Sequence, residues 1–282
     1  MRWMARRAQG MSRRARVAAL LTIIGIVLFG TVAFIPASIG ATSPPKRAAS
    51  APAPSASASA SATATPFGGL ATVGALFTAS SSQPGTHFCT ASVVHSKHGN
   101  LAVTAAHCVS SVLGQQVWFV PGYVNGKAPY GIWTVTAVYT DQAWQSAQNP
   151  DDDVAFLQLA DANGVPVEHV TGAERLGTDS ASRALVRVIG YPNVSDQPVS
   201  CVNWAESFSA TQLEFDCDGY TDGTSGGPFL AGPSALAGGR GTVIGVIGGY
   251  EQGGNTPEVS YATAFGAPVA ALYRTAELGS GA

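Results

Sequence analysis

The chain has 282 residues, room for one large domain or two small ones, and a formal charge of −2. Residues 1–66 carry eight Lys or Arg and no acid, whereas residues 67–282 carry seven Lys or Arg against 17 Asp or Glu. So acidic a body excludes nucleic acid as a partner, because phosphate contacts need Lys and Arg in number.

The basic head comes first. Arg2, Arg6, Arg7, Arg13, Arg14 and Arg16 precede an uncharged, largely apolar run from Val17 to Ile39. Residues 1–41 therefore read as a signal peptide or a membrane anchor. The length of 17–39 fits a bilayer span, and the small Ser38, Gly40 and Ala41 fit cleavage, so both readings stay open. Either way the positive head remains inside and the rest is exported, with 17–39 as a possible membrane tether. Ser12-Arg13-Arg14 hints at twin-arginine export, but an ordinary basic n-region explains it as well. Residues 42–66 form an Ala/Ser/Pro-rich linker with almost nothing to bury.

The body, 67–282, alternates short runs rich in Val, Ile, Phe, Tyr and Thr with Gly, Pro, Asn and Asp. The runs at 92–94, 101–104, 116–120, 132–138, 154–159, 184–189, 212–215 and 242–247 read as strands of a barrel or sandwich. Residues 267–278 read as a helix, with a glycine before them and Pro268 in the first turn. Some 210 residues can bury a sizeable core unaided.

Four cysteines lie in the exported part: Cys89, Cys108, Cys201 and Cys217. An even count suggests two disulfides. Three pairings are possible, and proximity favours Cys89 with Cys108 and Cys201 with Cys217. No C-x-x-C or H-x-x-x-H spacing supports a metal site, and no phosphate-binding loop is present. Neither a metal nor a cofactor is expected.

Three motifs carry chemistry. In Thr104-Ala105-Ala106-His107-Cys108, a histidine ends an apolar strand, as a positioned general base would. A lone His beside a strand is as readily a plain structural residue. In Asp151-Asp152-Asp153-Val154-Ala155-Phe156-Leu157, three acids run into an apolar strand. Asp153 abuts the strand and points inward, where a buried carboxylate needs a partner such as a His N–H. Asp151 and Asp152 read as a solvated turn. In Gly223-Thr224-Ser225-Gly226-Gly227-Pro228, glycines free the backbone to turn sharply around an exposed serine.

These motifs, in the order His, Asp, Ser, resemble those of the trypsin/chymotrypsin-like serine proteases. Gly85-Thr86-His87-Phe88-Cys89 and Val243-Ile244-Gly245-Val246-Ile247-Gly248-Gly249 extend the resemblance, which covers roughly 70 to 278. It implies an all-β fold of two packed antiparallel six-stranded Greek-key β-barrels (barrel 1 about 67–165, barrel 2 about 180–265) with a short C-terminal helix over 267–278. It implies a secreted serine endopeptidase of bacterial type, acting as a monomer on protein or peptide substrates. Ser225 would be the nucleophile, His107 the base and Asp153 its orienting carboxylate. The backbone N–H groups of Gly223 and Ser225 would form the oxyanion hole. Gly219, Gly248 and Gly249 would stand at substrate-binding positions.

The sequence departs from the family pattern at Thr224. Zymogen-type members carry an Asp there to pair with a freshly cut N-terminus, and no Ile-Val-Gly-Gly start is present. Gly219 stands where trypsins carry the Asp that selects basic residues, so the reading leans to an uncharged P1 side chain and away from glutamate. The alternative function is a catalytically silent binding module on a protease fold, which fluorophosphonate labelling of Ser225 distinguishes. An esterase of the α/β-hydrolase kind would need the order Ser, acid, His.

Overall fold

A computed structural model of the chain describes residues 62–78, 86–179 and 181–279. The expected signal or anchor over 1–41, most of the expected linker, and Gly85 lie outside these residues. Among the described residues no helix is long and apolar enough to cross a membrane.

Period-2 alternation builds the molecule. After a two-residue strand, β1 (Thr65–Pro66), come β2 (Val73–Thr78), β3 (Cys89–Val94), β4 (Leu101–Thr104), β5 (Val117–Pro121), β6 (Trp133–Thr140) and β7 (Ala155–Leu159). These six close into an antiparallel barrel in the order β2-β3-β4-β7-β6-β5. A short parallel strand, β8 (Arg175–Leu176), joins β13 of the second set. That set is β9 (Arg183–Gly190), β10 (Val199–Ser207), β11 (Gln212–Asp216), β12 (Pro228–Ala231), β13 (Thr242–Ile247) and β14 (Val259–Ala264). Its order is β9-β10-β11-β14-β13-β12, closed by pairing of β9 with β12. The two barrels share one strand order, and in each the first strand pairs with the fourth.

β3, β4, β7, β12 and β13 are buried on both faces because each face meets a different core. Val93, Ala102, Ala155 and Leu157 point into the first barrel, and Val188, Phe215, Phe229 and Ile247 into the second. Their neighbours Val94, Leu101, Val103, Phe156, Ile189, Leu230 and Val246 form a third cluster between the barrels. Fully burying one such Leu, Val or Phe stabilises by about 1.5–3 kcal/mol. A one-residue slip would exchange the two sets on a strand, so the packing fixes the register.

Four short helices interrupt the strands: α1 (Ala106–Ser110), α2 (Gln142–Ala147), α3 (Val167–Thr171) and α4 (Pro233–Leu236). The C-terminal helix α5 (Ala267–Gly279) buries Val269, Leu272 and Ala276. It leaves the second barrel and packs back on β6 and β7 of the first, with Tyr273 against Phe156.

Residues 62–66, placed in the linker by composition, run along the second barrel. β1 pairs with β10. Ala64 donates its N–H to Asp218 O at 2.7 Å, and Asp218 donates to Ala62 O at 2.9 Å. Backbone pairing needs no apolar side chain, so composition gives no sign of it.

Candidate active site

β4 and β7 are antiparallel neighbours, with Thr104 opposite Ala155. His107 lies three residues past one strand end and Asp153 two before the other, so the register brings them together. Ala105 is extended and α1 starts at once, which aims His107 along the barrel rim. A 3-10 turn at Pro150–Asp152 delivers Asp153 to the same rim.

Asp153 is fully buried. Its Oδ2 faces His107 Nδ1 at 2.7 Å and accepts the Gly249 N–H at 2.8 Å. Its Oδ1 accepts the His107 backbone N–H at 2.8 Å. Three donors offset the cost of burying this carboxylate, and the arrangement places a proton on Nδ1 and leaves Nε2 as the accepting nitrogen. The neighbouring acids do other work. Asp151 Oδ1 accepts from Thr211 and Gln212 of the second barrel. Asp152 accepts from Asn149, and burial raises its carboxyl above the ordinary value.

Ser225 sits in the loop between β11 and β12. It shares with His107 a cleft of about 470 Å³, walled by Asn193, Tyr220, Ile247, Ser260 and the 251–257 segment. The glycines around it are there for space. At Gly226, φ is +79°, and a Cβ would stand 2.1 Å from Thr104 Oγ1 and 2.2 Å from Thr90 O. At Gly223, φ is +93°, and a Cβ would stand 2.6 Å from Asn193 N and Tyr191 O.

Among the described residues neither the Gly223 nor the Ser225 backbone N–H has a hydrogen-bond partner. In a trans peptide the N–H points opposite the carbonyl of the same plane. Asp222 O accepts from Asn193 N–H at 2.8 Å, and Thr224 O from Gly227 N–H at 2.9 Å. Those two bonds set the directions of the Gly223 and Ser225 donors. Thr224, nearly buried, donates Oγ1 to Thr221 O at 2.7 Å. Its side chain is held inside its own loop and packs against Gly190.

Both disulfides lie beside this machinery: Cys89–Cys108 next to His107 and Cys201–Cys217 at the start of the Ser225 loop. Among the described residues, Cys89, His107 and Cys108 are the one cluster with metal-ligand types. The two sulfurs are bonded to each other, so the donor set does not suit a metal.

The three glycines expected at substrate-binding positions, Gly219, Gly248 and Gly249, are not among the residues that line this cleft. Gly248 backs Asp153, with room for a Cβ only 2.9 Å from Oδ2, and the Gly249 N–H is given to the same oxygen. Gly219 packs against Ala64. The wall beside Ser225 is built from Tyr220, Thr221, Asp222 and the 251–257 segment. Gln212 also escapes sequence reading. It donates to Pro150 O and accepts from Tyr250 N–H, linking the Asp153 turn to the second barrel. It lies in an ordinary strand run, and nothing local marks it.

Residues 85–246 match the family model described as a trypsin-like peptidase domain. The structure resembles the protease Anisep from Arthrobacter nicotinovorans, at 27% identity and a TM-score of 0.65, over 76% of this chain and 99% of that one. It also resembles the thermostable serine protease AL20 from an extremophilic microorganism, at 23% identity and 0.63, over 74% and 97%. A Glu endopeptidase shares the fold at 14% identity and 0.62, over 78% and 98%. No curated protein sequence matches the chain. The family model spans more than half of the chain, and the chain belongs to the trypsin-like peptidase family, as a serine endopeptidase.

Proposed function

We propose that the chain is an exported endopeptidase that cleaves peptide bonds through an acyl-enzyme on Ser225. The observation that carries this reading is the buried Asp153 carboxylate held against His107 Nδ1 at 2.7 Å, with Ser225 on the same cleft. Ser225 attacks the scissile carbonyl while His107 Nε2 takes its proton. Asp153 steadies the imidazolium that forms. The unpartnered N–H groups of Gly223 and Ser225 receive the developing oxyanion. His107 then protonates the leaving amine, and water, activated by the same imidazole, frees the acyl group.

Export is supported by the basic head and apolar run over 1–41, and by two disulfides in the described part. The substrates are protein or peptide chains. Among the described residues Asp222 and Glu251 line the cleft and no Lys or Arg does, which favours uncharged or basic side chains over acidic ones.

A fluorophosphonate probe and a peptide-library profile on the protein, each with a Ser225→Ala control, test the reading together. Labelling and cleavage that vanish in the control are expected. A folded wild-type protein that neither labels nor cleaves would leave the fold serving as a binding module.

A further inference from the structure

Thr90 lies in β3, one residue after Cys89, with no exposed surface. A buried hydroxyl needs a partner, and one is usually enough. Here every polar group of the residue binds a segment that leads into the cleft. Oγ1 donates to Gly223 O at 3.0 Å and accepts from Tyr191 N–H at 2.9 Å. The Thr90 N–H donates to Ser225 O at 2.7 Å. Its carbonyl accepts from Thr104 Oγ1 at 2.8 Å, at the end of the strand that leads to His107.

The bonds to Gly223 O and Ser225 O hold the peptide planes on either side of the one that carries the Ser225 N–H. The bond from Tyr191 holds the loop whose Asn193 N–H orients the plane that carries the Gly223 N–H. A single residue on the first barrel, through its hydroxyl and its backbone N–H, thus holds the segments that carry both donors on the second.

We infer that Thr90 is a positioning residue for the oxyanion hole, coupling it to the barrel that carries His107. The inference rests on the proposed role of the Gly223 and Ser225 N–H groups. It also accounts for a formed Ser225 loop with Thr224, not an acid, before the nucleophile: the loop is fastened from β3 and requires no inserted N-terminus.

The test compares Thr90→Val, which keeps shape and removes the hydroxyl, with Thr90→Ser, which keeps the hydroxyl. Thr90→Val is expected to lower kcat roughly 10- to 100-fold with KM within about 3-fold, because the donors act in the transition state. Thr90→Ser should stay within about 3-fold of wild type. Amide hydrogen exchange over 189–194 and 221–227 should quicken in Thr90→Val and not in Thr90→Ser. If Thr90→Val fails to fold, Thr90→Ala against Thr90→Ser makes the same comparison. Unchanged kcat and unchanged exchange in the hydroxyl-less variant would overturn the inference, as would a Ser variant as impaired as the Val. Quickened exchange in a protein whose wild type neither labels nor cleaves would sustain the positioning role while removing the peptidase mechanism.

Discussion

Gly249, from the second barrel, donates its backbone N–H at 2.8 Å to Asp153 Oδ2, the oxygen that also faces His107. The Asp153 carboxylate is thereby held from both barrels, since the His107 backbone N–H binds its other oxygen. The His107 ring is fixed by the packing of one barrel on the other.

Asp153→Asn is expected to cost roughly 10⁴-fold in kcat with the fold intact. An amide has one accepting oxygen for donors that now approach both, and it favours the wrong tautomer of His107. Steady-state kinetics beside a near-UV circular dichroism spectrum checks this. A loss below 10-fold would remove Asp153 from the mechanism.

His87 should make stability fall in mild acid. It is buried, donates Nε2 to Tyr191 O and Pro192 O, and leaves Nδ1 without a partner among the described residues. Burial lowers its pKa below the ordinary value. The unfolded chain therefore takes up a proton below about pH 6.5 that the folded chain refuses, and stability drops by about 1 kcal/mol for each pH unit until the lowered folded pKa is reached. Glu174 acts in the opposite sense: burial raises its carboxyl, so its contribution is present at low pH and lost as pH rises through the folded value. The difference between wild type and His87→Gln in urea unfolding at pH 7.5 and 5.5 isolates the histidine. Equal acid losses in the two proteins would contradict the assignment.

Peptides with Glu or Asp at P1 should be poor substrates. Among the described residues Asp222 and Glu251 line the cleft without a compensating Lys or Arg, and like charges in a cleft repel. A kcat/KM at least about 10-fold below that of neutral peptides is expected, with the gap narrowing in high salt. Efficient acidic cleavage at low salt would refute the cleft assignment.

Removing either disulfide should destabilise by about 3 kcal/mol, since they close loops of similar length, 19 and 16 residues apart in sequence. Their effects on rate should differ. The Cys89→Ala/Cys108→Ala pair loosens both Thr90 and His107, and should lower kcat more than Cys201→Ala/Cys217→Ala. Chemical denaturation and kinetics on both double variants give the comparison.

A chain beginning at Ala62 should match longer chains in activity, because Thr90 and Thr224 hold the Ser225 loop with bonds made inside 62–279. One beginning at Gly68 loses β1 and the bonds to Asp218, beside the cleft-lining Tyr220. A raised KM is expected there. Activity that appears only after a defined N-terminal cut would contradict the first half.

How much of this was legible depends on range. His107 and Ser225 stand in short motifs whose spacing reflects local chain geometry. Asp153 could be singled out from its neighbours because burial follows from its place against a strand. The both-face burial of β3, β4 and β7 reads as apolar runs. Thr90 and Gln212 were invisible because their partners lie far along the chain, at Gly223 and at Pro150. At Gly248 and Gly249 the sequence shows that backbone is free to approach something, and not that one thing approached is Asp153.

The Cys89–Cys108 bridge has a consequence for how redox conditions bear on the site. It ties the strand carrying Thr90 to the helix carrying His107. In a reducing interior that tie would be absent, and base and oxyanion donors would lose a shared anchor. A reduced chain would hold His107 and Thr90 less firmly against each other than an oxidised one.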